Sequence, residues 1–250
     1  MHEAFFFGPS SRRLFGSYHP PAGGHGRVLT VICPPLLSEL ARTHSALRKM
    51  ASSLAEAGHH VLRFDYYGTG DSFGTLEEAT VSGWLEDISE AIQEGRDITG
   101  CTKVRVVAVR AGALLACKSV GAASDIERLV LWDPLTKGLE FLEDLRCMQA
   151  AMVERNPLLS RAERREAMND LGTYRLSDCV VEELSSLDAD IYERVQSKMR
   201  VVSTSSSHCL ALDAVPHDVV EYPCDWQEFN ENQIIPHPVL EQLIKGVTLP

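Results

Sequence analysis

The sequence predicts an α/β fold: a mostly parallel central sheet with helices on both faces. Three observations carry that reading. Continuous apolar, β-branched runs such as V-L-T-V-I-C at 28–33 read as strands buried on both faces, because a strand with one wet face alternates instead. Between such runs, apolar residues recur every three or four positions over stretches of helical length. Strands that alternate with helices in this way need right-handed crossovers, which make neighbouring strands parallel.

In chain order, residues 3–7 and 12–18 flank the turn G-P-S-S and form an opening hairpin. A linker, H-P-P-A-G-G-H-G, leads to the first central strand at 28–33, which stops at Pro34-Pro35. Leu47, Met50, Leu54 and Ala57 place a helix over about 43–57, with Gly58 as its stop. H-V-L-R-F-D-Y at 60–66 is a strand, G-T-G-D-S-F-G a loop, and 84–98 a helix ending near Gly100. A strand at 103–109, a helix at 111–120 and a strand at 127–132 follow, the last closing on Asp133-Pro134.

The pattern then changes. From 138 to 198 it is charged and helical, with the capping signal S-R-A-E at 160–163, and the sheet pattern resumes at 199–204 and 218–222 before a last helix at about 238–247. The chain therefore divides into a core, 1–137 and 199–250, and an inserted helical cap or lid, 138–198.

Composition narrows the function. With 35 acidic against 24 basic residues, the net charge of -11 excludes broad electrostatic binding to nucleic acid or anionic membrane. No apolar run reaches transmembrane length, and the N-terminus shows no signal-peptide pattern. The seven cysteines are scattered, odd in number and without C-x-x-C spacing, which fits reduced thiols in a cytoplasmic protein and argues against zinc. No metal and no cofactor is expected.

In a doubly wound sheet, ligands meet the loops at the carboxyl ends of the strands. Here those loops are C-P-P-L-L-S-E, D-Y-Y-G-T-G-D-S, R-A-G-A, W-D-P-L and S-T-S-S-S-H. With the element order, F-D-Y-Y-G-T-G-D-S-F-G, A-V-R-A-G-A-L-L-A and L-V-L-W-D-P-L-T-K-G-L-E-F-L, the chain resembles the α/β-hydrolase superfamily. Within it, the sequence is most similar to the serine-aminopeptidase-like branch and to exosortase-A-system-associated hydrolases. The resemblance implies a nucleophile on a strained turn between small residues. The matching stretch is Ala108-Val109-Arg110-Ala111-Gly112, with arginine where the family carries serine. A guanidinium cannot be deprotonated in a protein and forms no acyl-enzyme.

Arg110 then has two readings. At a helix N-terminus it is an anion-recognition residue, its planar fork matched to a carboxylate or phosphate. Alternatively, it pairs internally with Asp65, Asp71, Asp133 or Glu39 and locks the turn, since an unpaired buried guanidinium is costly. The resemblance also implies backbone oxyanion donors, from Leu36 or Leu37 and from Ala111, in a binding site completed by Arg110 and Gly112.

For the remaining triad positions the family pattern implies an acid after the strand ending near Thr204, where S-T-S-S-S-H has none and Asp213 lies well downstream. Asp133 is a displaced acid or a structural residue turned toward Arg110. His237 is a triad base or a surface residue at a helix start, and Cys33 a replacement nucleophile or an inert core thiol. In the insertion, Phe141, Leu142, Leu145, Met148 and Met152 form a stripe that is core or lines an acyl or aromatic pocket.

Three functions stay open. The first is a hydrolase-like protein without the serine nucleophile, binding an acidic or acyl small molecule through Arg110 in a biosynthetic pathway. The second is an ester, thioester or amide hydrolase with a non-standard nucleophile or a histidine-activated water. The third is a non-catalytic protein that holds a partner from the same pathway.

Overall fold

The computed structural model describes residues 2–121, 125–167, 174–204, 212, 215–227 and 234–249. The hairpin of β1 (Glu3–Phe7) and β2 (Leu14–His19) opens the chain, and β2 runs antiparallel to β4 (His60–Phe64). Every later pairing is parallel: β3 (Val28–Cys33) with β4 and with β5 (Lys103–Val109), then β6 (Ile126–Trp132), β7 (Met199–Thr204) and β8 (His217–Val220) in turn. The spatial order is β1-β2-β4-β3-β5-β6-β7-β8.

Successive residues of a central strand feed opposite cores, which is why these strands read as unbroken apolar runs. Ile32, Val107 and Val130 pack with Leu47, Met50 and Leu54 of α1 (Ser38–Glu56) and with Leu240 and Leu243 of α8 (His237–Thr248). Val31, Val106 and Leu129 pack with Trp84 and Ile88 of α2 (Val81–Thr99) and with Leu114 and Leu115 of α3 (Ala111–Val120). Local signals bound α2: Gly100 closes it at φ 68°, as anticipated, and Thr80, which the sequence reading did not single out, accepts a hydrogen bond from the Gly83 N–H at its start.

Between β6 and β7 lie α4 (Gly138–Arg155), α5 (Arg161–Ala167), α6 (Asp178–Ser185) and α7 (Asp190–Glu193). Ser160 and Glu163 form the anticipated reciprocal capping box at the start of α5. Phe141, Leu142, Leu145 and Met148 join the same core as α2 and α3, so the stripe is packing surface, while Met152 is only half-buried. Gly138 lets α4 press on α6, since a Cβ there would sit 1.9 Å from the Leu184 carbonyl oxygen.

Several boundaries differ from the sequence reading: α2 begins at Val81 rather than at 84, β2 spans Leu14–His19 rather than 12–18, and β8 spans His217–Val220 rather than 218–222. β4 ends at Phe64 rather than at residue 66, and α1 begins at Ser38, five residues earlier than its apolar period indicates. The first turns of α1 bury Glu39 and Arg42, whose charges hide the helical period.

Candidate functional site

The site is built from two sharp strand-to-helix turns lying side by side. β5 runs into α3 through Arg110, at φ 53° and ψ -126°, and β3 reaches α1 through Leu37, at φ 55° and ψ -124°. Side chains rarely tolerate such angles, and each costs about 1–3 kcal/mol that the surrounding packing must offset. Gly112 allows the two turns to meet: a Cβ there would lie 2.3 Å from the Pro34 carbonyl oxygen. The Arg110 N–H is tied to the Trp132 carbonyl at 3.0 Å, anchoring the turn to β6.

The Arg110 side chain is 6% exposed. Its Nε donates to Glu39 Oε1 at 3.1 Å and its Nη2 to Asp144 Oδ2 at 2.5 Å, while the Trp226 ring lies 5.1 Å from the guanidinium carbon. The partners come from three elements: Glu39 from the first turn of α1, Asp144 from α4, and Trp226 from the segment after β8. Glu39 is fully buried and its Oε2 has no hydrogen-bond partner. Burial pushes the Glu39 carboxyl up to about 7, against the pull of Arg110 toward the ionised form. The two acids hold Arg110 firmly charged despite its burial.

Asp133, in a third left-handed turn at φ 41°, is also fully buried. Its Oδ1 accepts from the Thr204 N–H at 2.7 Å, and its Oδ2 accepts from Thr204 Oγ1 and Trp226 Nε1, both at 2.9 Å.

No protein-family model matches the chain. Over 65 residues it is 37% identical to palmitoyl-protein thioesterase ABHD10, mitochondrial, of Bos taurus, a stretch covering 26% of this chain and 20% of that protein. Solved structures match over nearly the whole length. A soluble variant of monoglyceride lipase from Saccharomyces cerevisiae aligns over 99% of this chain and 94% of its own, at 9% identity and a TM-score of 0.64. An alpha-beta serine hydrolase homologue from Coxiella burnetii covers 97% and 94%, at 15% identity and 0.56. The thioesterase domain from the curacin biosynthetic pathway covers 89% and 93%, at 16% identity and 0.55.

The chain has the α/β-hydrolase fold.

In this hydrolase fold, the anticipated binding residues do converge. Leu36 and Leu37 lie on the loop entering α1, and Ala111 and Gly112 open α3 against it, with Arg110 between them. The internal partners of Arg110 are Glu39, as one sequence reading held, and Asp144, which no reading named. Asp133 hydrogen-bonds Thr204 and Trp226, not Arg110, because the third turn aims its carboxylate at β7. Asp65 is engaged elsewhere, accepting from the Asp71 N–H at 3.0 Å.

His237 is not beside any of these acids. It is exposed at the start of α8, with Nδ1 3.1 Å from Lys49 Nζ, so the atom that a triad acid would hold faces an ammonium instead. Cys33 is fully buried, and burial drives its thiol far above the ordinary range, the opposite of an activated nucleophile. The loop after Thr204 and Asp213 lie outside the described residues. Among the described residues, no group of acidic, histidine and cysteine side chains could hold a metal ion, and no helix is long and apolar enough to cross a membrane.

Asp144 and Trp226 were missed for different reasons. Asp144 sits three residues after Phe141, beside the apolar stripe, and an acid on the buried margin of a helix is a readable signal. Trp226 lies in E-Y-P-C-D-W-Q, a segment with no periodicity to mark it.

Proposed function

We propose that this hydrolase-fold protein works without an acyl-enzyme and binds an acidic or acyl small molecule at its elbow, in a cytoplasmic biosynthetic pathway. The observation that carries the reading is the Arg110 turn, which keeps the strained geometry of a nucleophile position but offers a guanidinium at the N-terminus of α3. Helix dipole, free N–H groups and guanidinium all favour a negative group at that point. Asp144 reaches the same guanidinium from α4, and its side chain is 13% exposed against 1% for Glu39. A ligand carboxylate exchanges with Asp144, the more accessible acid, while Glu39 stays as the fixed internal partner.

The acyl side of the reading is supported by likeness to a palmitoyl-protein thioesterase segment and to a thioesterase domain. The biosynthetic setting is supported by the resemblance to exosortase-A-system-associated hydrolases, and the cytoplasm by Cys33, Cys101, Cys117, Cys147 and Cys179, which are free thiols.

A second reading is favoured by the completeness of the internal pairing: both carboxylates are already in place around a buried Arg110. On that reading the elbow is a structural lock and the chain a non-catalytic interaction protein. Two measurements separate the possibilities. Intact-mass spectrometry after fluorophosphonate treatment should show no adduct, and a stoichiometric adduct would restore the covalent-hydrolase alternative. Titration with octanoate should show saturable binding that Arg110→Met removes; no binding, or binding unchanged in Arg110→Met, leaves the lock.

A further inference from the structure

On the other side of the loop at 33–37, away from the Arg110 cluster, a cavity of about 460 Å³ lies between α1 and the strands β2, β3 and β4. The sheet register explains how it forms. Arg63 of β4 sits between Ser17 of β2 and Ile32 of β3 in one row, and Phe15 and Asp65 extend the same face toward the loop of Gly70 and Asp71. Leu40, His44 and Leu47 of α1 cover this face from above. Phe15, Ile32, Leu37, Leu40 and Leu47 make an apolar wall, while the charged groups Arg63, Asp65 and Asp71 also line the cavity.

The charges are not used up by the protein. Arg63 makes no ion pair among the described residues, its buried Nε has no hydrogen-bond partner, and its Nη1 makes only a long 3.4 Å bond to the His44 carbonyl. Asp65 accepts from the Asp71 N–H through Oδ2, leaving Oδ1 without a hydrogen bond among the described residues. Residues two apart on one strand share a face with Cα atoms roughly 7 Å apart. Asp65 lies one residue past the end of β4, but its N–H still donates to the Phe15 carbonyl at 3.0 Å and so continues the line of the strand; Arg63 and Asp65 thus present opposite charges to one cavity without an ion pair between them. A buried guanidinium N–H without a partner, as at Arg63 Nε, is costly unless something supplies the missing bond.

The sign of the lining selects the ligand. A simple anion attracted to Arg63 meets the carboxylates of Asp65 and Asp71, and a simple cation attracted to those acids meets Arg63 and the nearby Arg48. A molecule carrying both charges at one end and an apolar body at the other satisfies both. We propose that this cavity is a binding site for a small zwitterion with an apolar body, of the chemistry of an aromatic or branched α-amino acid. Its carboxylate takes the Arg63 fork, its ammonium takes Asp65, and its side chain lies against Phe15, Ile32, Leu40 and Leu47. Because Pro34 and Leu37 also line the cavity, the occupant rests on the back of the loop that faces Arg110.

The test is calorimetric titration of the full chain with L-phenylalanine, followed by displacement with 3-phenylpropionate, which lacks the ammonium, and 2-phenylethylamine, which lacks the carboxylate. Saturable L-phenylalanine binding is expected, with each half-ligand at least about tenfold weaker as a competitor. Arg63→Met should weaken L-phenylalanine at least about tenfold, and Ala41→Phe, which fills the exposed mouth of the cavity from α1, should abolish it. Absence of saturable binding overturns the proposal, as does displacement by either half-ligand as effective as by L-phenylalanine. Unchanged affinity in a folded Arg63→Met, verified by circular dichroism, overturns it as well.

Discussion

Glu39 and Arg110 meet at 3.1 Å in the interior, each at the start of a helix that a left-handed turn sets in place. The pair joins α1 to α3 across the close approach of Pro34 and Gly112. One carboxylate oxygen is bonded and the other is not, so the contact is held under a desolvation cost that leaves Glu39 near neutrality in its titration.

That titration has a definite sign. A carboxyl raised to about 7 holds a proton in the folded state that the unfolded chain has released above about 4.5, so folding stability falls as pH rises through that window. His19 and His59, lowered by burial to about 4, work in the opposite direction and cost stability as pH falls below 6.5. The Glu39 contribution is isolated by comparison with Glu39→Gln. Relative to that variant, the natural chain should gain roughly 2 kcal/mol between about pH 8 and pH 5, read from urea unfolding. A difference independent of pH would remove Glu39 as the titrating group.

Replacing Arg110 strands two acids at once. Arg110→Met should destabilise by about 3–5 kcal/mol near pH 8, the usual cost of removing one partner from a buried ion pair. The loss should shrink near pH 5, where Glu39 becomes neutral and no longer needs the guanidinium. Equal losses at both pH values would mean that the pairing with Glu39 carries little weight.

Asp133 is the acceptor for three donors, the Thr204 N–H, the Thr204 hydroxyl and the Trp226 indole. Asp133→Ala leaves all three without that acceptor and should lower unfolding stability by about 3 kcal/mol or more, whereas Asp133→Asn, which keeps one acceptor oxygen, should lose less. A neutral Asp133→Ala would show that β7 and the Trp226 segment do not depend on this carboxylate.

Gly112→Ala tests the meeting of the two turns. A Cβ 2.3 Å from a backbone oxygen cannot be accommodated by a rotamer change, so Pro34 or α3 must shift. The expected loss is about 1–3 kcal/mol in denaturant unfolding, and a silent substitution would mean the turns are not in contact.

Thiol reactivity separates surface from core. Cys147 and Cys179 are exposed, while Cys33 and Cys117 are buried and pushed far above the ordinary thiol range. Iodoacetamide under native conditions should label the first two and spare the second two, as peptide mapping would read. Labelling of Cys33 ahead of Cys147 would revive it as a nucleophile.

What the sequence by itself determined was the sheet and its order of elements. Two-sided burial forces unbroken apolar runs at 28–33 and 103–109, and helices between them bury only one side and so show their period. The elbow was legible for the same local reason, because a strained turn needs the small residues Ala108, Ala111 and Gly112 around Arg110. The start of α1 was not legible, since Glu39 and Arg42 are buried there and break the apolar period. Their partners are distant: Arg110 for one, the carbonyls of Asp225 and Trp226 for the other. Only the tertiary structure decided that Arg110 holds Asp144 and that Asp133 faces Thr204 and Trp226. Periodicity records which face of an element is buried, but a charge finds its partner through the path of a whole inserted segment over the sheet, and no local pattern encodes that path.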